Sequence, residues 1–203
     1  MSYRKNFSSF SLAEAYKLLN IDCLEPWEFT TQDWTLSDFF TIRLQRLQNN
    51  FDLRSYKKLK ELLIDAYCEE VIDPIASLKI WKGAAIRSDY AQGNADYLIA
   101  ECRDYLERPD LCVVEAKKDD FEPGLAQCLA EMYACRWQNA AINLAINSFG
   151  IVTNATTWQF YKLSTDGIVY ESRPYTSGEP AQLLGVLHYI FIQCRPLEKR
   201  LKP

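Results

Sequence analysis

A single histidine, His188, occurs in 203 residues, and that scarcity removes whole classes of chemistry. Ser-His-Asp and Cys-His catalysis both need an imidazole base, and His188 stands inside LLGVLHYIFI, where it reads as a packed residue. Seven cysteines occur (23, 68, 102, 112, 128, 135 and 194) but no CxxC, so the paired-ligand spacing of zinc and iron–sulfur sites is missing. An odd cysteine count points to reduced thiols, most of them packed as small apolar groups, with Cys128 and Cys135 two turns apart on one helix face. The N-terminal stretch MSYRKNFSSFSLAEAYKLL lacks an apolar signal core, and the expectation is an intracellular, cytoplasmic protein. No apolar run approaches the roughly 20 residues that span a bilayer, so no membrane partner is expected. Positive charge is not in excess either. Against 27 Asp and Glu stand 23 Lys and Arg, a net of −4, so any nucleic acid must be gripped at a local site or through a partner protein.

What is present is ordinary globular material. Hydrophobic residues make up 48% and charged residues 25%, with 10 Phe, 12 Tyr and 5 Trp to fill a core, which excludes a disordered or fibrous chain. The length suits one domain. Residues 1–52 read as an N-terminal helical extension packed on a core of residues 53–203. In the extension, Ser11 before LAEAYKLL, with Glu14 three residues on, forms a capping box. A second helix is predicted over Leu36–Gln48 and a third over Tyr56–Ile72. On the third, Leu59, Leu62, Leu63, Ala66 and Tyr67 define one face at 100° per residue, with Glu70 on it and Glu61 nearly opposite.

From Ser77 the period changes to that of strands. SLKIWK, DYLIAE and CVVEAK follow one another with short connections, which predicts an antiparallel meander. Pro123 marks a helix start, and the helix is predicted to run over roughly residues 124–146. FGIVTN, TTWQFYKL and GIVYES read as three more strands, with turns at Asn154-Ala155 and Asp166-Gly167, and a last helix starts near Pro180 and ends near Pro196. The fold class is therefore α/β, a mixed sheet flanked by helices, with one helix crossing between two groups of strands.

Chemistry concentrates in GNADYLIAECRDYLERPDLCVVEAKKDDFEPGLAQCLAEM. Glu115 and Lys117 lie two apart near a strand end and project to the same side. Asp96 shares that side if the two strands are neighbours. Charge at the end of a run as apolar as Leu111-Cys112-Val113-Val114 needs a partner. Two arrangements satisfy it. One is a strand-end ion pair of Glu115 with Lys117 or Lys118, beside an exposed Asp96. The other is a carboxylate pair holding a hard cation such as Mg²⁺, with the lysine orienting a water and offsetting phosphate charge. Trp81, Trp137 and Trp158 read as core or interface residues, and Arg103 and Arg108 as ordinary exposed arginines of the meander.

The order Asp96, then Glu115-Ala116-Lys117, then Gln127 on the following helix resembles the PD-(D/E)XK nuclease superfamily. The resemblance spans about residues 56–164 and includes the succession helix, three-stranded meander, helix and strand. Gln127 resembles the glutamine of recombination-nuclease-like members. GIVTNATTWQFYKL is similar to the strand pair in the N-terminal nuclease modules of type I restriction motor subunits. The resemblance implies a restriction-endonuclease-like fold and hydrolysis of DNA phosphodiester bonds. It implies Mg²⁺, or Mn²⁺, held by Asp96, Glu115 and the Ala116 carbonyl, with Lys117 positioning the attacking water and Gln127 completing the catalytic set. In that pattern Ala95 replaces the proline of the family name. A further first-helix acid is frequent in the superfamily, and Glu70 and Glu61 are the two candidates. Its alternative implication is a non-catalytic member serving in protein interaction, as a homodimer or with a partner that supplies DNA binding.

Overall fold

A computed structural model describes residues 4–53, 57–108, 110–116 and 121–195. Through them the chain forms β1 (Lys5–Asn6), a 3-10 turn (Phe7–Ser9), α1 (Leu12–Leu19), β2 (Glu25–Pro26), α2 (Asp38–Asn50) and α3 (Lys57–Ile72). Then come β3 (Leu78–Arg87), β4 (Ala91–Glu101), β5 (Asp110–Ala116), α4 (Phe121–Ala140), β6 (Ser148–Thr153), β7 (Thr157–Leu163), β8 (Val169–Glu171), β9 (Tyr175–Thr176) and α5 (Pro180–Gln193). The class is α/β, with one mixed sheet flanked by helices.

The predicted meander is present, since β3 pairs antiparallel with β4 and β4 antiparallel with β5. Strand β5 then lies parallel to β6. Parallel neighbours need a crossover, and α4 supplies it. Strands β6, β7 and β8 continue antiparallel. Side chains of β5 alternate between two cores. Cys112, Val114 and Ala116 join the cluster built with Ile64, Tyr67 and Val71 of α3 and Leu184 and Leu187 of α5. Val113 joins the opposite cluster, with Ala126, Leu129 and Met132 of α4. Glu115, two residues on, faces α4.

Several boundaries differ from expectation for identifiable reasons. Helix α4 ends at Ala140 rather than near residue 146, because Asn143 takes a left-handed conformation (φ 58°) and both Ile142 and Leu144 direct their N–H to Asn139 O. The buried stripe of α3 is rotated from the predicted one. Ile64, Tyr67, Cys68 and Val71 are buried, whereas Leu59, Leu62 and Leu63 are half-buried. The N-terminal segment is more than helical, since β1 pairs parallel with β4 and β2 parallel with β8. Its capping box is formed, Ser11 Oγ accepting from Glu14 N while Ser11 N donates to Glu14 Oε2 at 2.8 Å.

All seven cysteines are free thiols, five buried and two, Cys23 and Cys102, exposed. His188 is half-buried against Trp34, ring centroids 4.6 Å apart, and burial lowers its pKa. Trp158 is fully buried, whereas Trp137 lies partly exposed. No helix among the described residues is long and apolar enough to cross a membrane.

Candidate functional site

Open α/β sheets gather their functional groups at the carboxyl ends of parallel strands. Here that end of β5 carries Glu115 and Ala116, paired with Val152 and Thr153 of β6. The β4–β5 ladder stops at Tyr97–Val114. One step further, the register places Asp96 across from Glu115, and opposed residues of an antiparallel pair project to one face. Asp96 is half-buried. Its Oδ2 accepts the Ala116 N–H at 2.9 Å, so the carboxylate caps β5 where the ladder ends.

Glu115 is 1% exposed. A carboxylate so deeply placed needs hydrogen-bond donors, and α4 presents one. Gln127 Nε2 donates to Glu115 Oε2 at 2.8 Å. The same nitrogen donates to Glu131 Oε1 at 2.9 Å, and Glu131 is fully buried one turn along α4. Sequence reading finds Gln127 but misses Glu131. Its signal is faint: the i+4 spacing from Gln127 puts both on one helix face, yet a Glu amid LAEMYAC reads first as a solvent-facing residue.

Both first-helix acids are engaged by other residues. The Glu70 carboxylate accepts from Ser37 N at 2.9 Å, Ser37 Oγ at 2.7 Å and Trp34 Nε1 at 3.2 Å, so it anchors the start of α2. Glu61 stands 3.8 Å from Lys82 Nζ, which Asp65 holds more closely at 2.9 Å. The core-facing stripe of α3 joins the cluster on the face away from α4. Lys117, Lys118 and the two aspartates after them lie outside the described residues.

Asp96, Glu115 and the Ala116 carbonyl offer oxygen donors only, the set a hard cation takes, and two carboxylates are what Mg²⁺ commonly uses. Those donors fit such an ion in kind. Among the described residues no group of three or more His, Cys, Asp or Glu side chains is placed to hold a metal, so a cation here would depend on two acids, the backbone and water. No protein-family model matches the chain, and no curated protein matches it in sequence.

Proposed function

We propose that this chain is a Mg²⁺-dependent nuclease of the PD-(D/E)XK type, with a restriction-endonuclease-like core, hydrolysing DNA phosphodiester bonds. The observation that carries the reading is Glu115, buried at the carboxyl end of β5, donated to by Gln127 of the crossover helix and set across the register from Asp96. The order α3, β3–β5, α4, β6–β7 supports the same reading. Asp96, Glu115 and the Ala116 carbonyl would hold Mg²⁺, or Mn²⁺ in its place. When bound, the ion polarises phosphate and lowers the pKa of water. Gln127 fixes the Glu115 carboxylate so that the acid does not reorient during reaction. Lys117 follows Glu115 by two residues in sequence, and its ammonium would orient the attacking water and offset charge developing on phosphate.

The test is cleavage of single-stranded, duplex and branched DNA with Mg²⁺ and with Mn²⁺. Lys117→Ala should slow cleavage about 10²–10³-fold, while Lys118→Ala should change it little. Cleavage that survives Lys117→Ala would refute the assigned role. An absence of cleavage by the unaltered protein on every substrate would favour a second reading, a non-catalytic interaction module. One observation favours that alternative: Phe39, Ile42 and Phe51 of the α2 region are 63%, 50% and 47% exposed, an apolar stripe of the kind that marks contact surfaces. Light scattering would then show a dimer that Phe39→Ser disperses.

A further inference from the structure

A concave feature lies along the β3–β4 hairpin. The distal half of the β3–β4 hairpin borders a groove of about 520 Å³ lined by Asn6, Arg87, Gln92, Asn94, Arg108 and Gln138. Register sets Arg87 opposite Gln92 and Ala85 opposite Asn94, so these four side chains share one face of the hairpin. On the far side, Arg108 Nη2 donates to Gln138 Oε1 at 2.8 Å. Gln138 is 6% exposed on α4, and its bond holds the guanidinium against the groove wall.

The chain as a whole has more acids than bases, yet among the described residues the groove lining contains two arginines, four side-chain amides and no carboxylate. Neither Arg87 nor Arg108 makes an ion pair among the described residues. Guanidinium forks match phosphate oxygens in geometry and charge, and amides add neutral donors. The volume is that of a small-ligand cleft, enough for a segment of one strand and too small for a duplex.

We propose that this groove grips the phosphodiester backbone of a single nucleic-acid strand. The identity of the ligand rests on the nuclease reading, and the experiment separates the two. Binding of a fluorescently labelled oligothymidylate is followed by anisotropy in EDTA, where cleavage cannot interfere, across a salt series. Arg87→Ala should weaken binding at least about five-fold and lower the salt slope by about 0.7, the value for one phosphate contact on a single strand. Arg87→Glu should weaken it further, Arg87→Lys should keep part of it, and Arg108→Ala should resemble Arg87→Ala. Because Arg87 is exposed and makes no ion pair among the described residues, the melting temperature of its variants should match the unaltered protein. Wild-type affinity and salt slope in Arg87→Glu would overturn the proposal. So would duplex binding tighter than single strand, or binding of inorganic phosphate alone. Arginine-dependent binding without cleavage under Mg²⁺ would leave the groove standing and remove the nuclease reading; cleavage with Arg87→Glu unimpaired would do the reverse.

Discussion

Gln127 Nε2 stands within 2.9 Å of two buried carboxylates, Glu115 and Glu131, so one amide donates to both. Removing a donor from a buried acceptor costs about 1–3 kcal/mol, and more when the acceptor is charged. Gln127→Leu keeps the volume and removes the donor, so it should lower stability by at least that amount in urea denaturation. An unchanged midpoint would mean that the amide contributes no net stability to the pair. Asp96 has a structural task as well as a proposed chemical one, since it accepts the Ala116 N–H. These dual roles explain how far the site could be read in advance. Glu115 was legible because an acid ending an apolar run stands out, Asp96 because it opens the neighbouring strand, and Gln127 only through the family resemblance. Glu131 was hidden by its position in a helix buried on nearly every side. Glu70 was misplaced because helical angle alone does not reveal that Ser37 and Trp34 arrive to claim it.

Packing between elements decides where α4 lies. Gly150 sits mid-strand in β6, and a methyl group there would overlap Met132 Sδ and Cys128 Sγ of α4. The helix that carries Gln127 rides on the sheet at a separation only glycine permits. Gly150→Ala should cost about 1–3 kcal/mol through overpacking, read as a lowered melting temperature. Because one of the two clashing groups is a flexible side chain, adding Met132→Ala should recover part of the loss; a double variant no better than additive would show that Cys128 or the backbone, not Met132, takes up the strain. Element type was legible wherever the period was long, as in the meander and in α3. Ends were not. Local chemistry at Asn143 stops α4 early, and two-residue strands such as β1 and β2 have no period to read.

Those short strands matter most for the whole molecule. Lys5 and Asn6 pair with Ala91 and Gln92 of β4, and Glu25 and Pro26 with Tyr170 and Glu171 of β8. Phe7 packs so closely on Gly93 that a Cβ there would lie 2.7 Å from its ring, and Trp27 stacks on Phe149 at 6.0 Å. The first 52 residues therefore pair with strands and fill both cores instead of resting on a finished surface. A chain limited to residues 53–203 would expose the hydrophobic surface that Phe7 and Trp27 cover, and it should show no cooperative thermal transition; a sharp transition near that of the full chain would show the extension to be dispensable. The central claim is that Asp96 and Glu115 form one divalent-cation site, and calorimetric titration with Mn²⁺ tests it most directly. The unaltered protein should bind one ion weakly, and both Asp96→Asn and Glu115→Gln should abolish the heat while remaining folded. Equal heats from all three proteins would place the ion elsewhere and contradict the account.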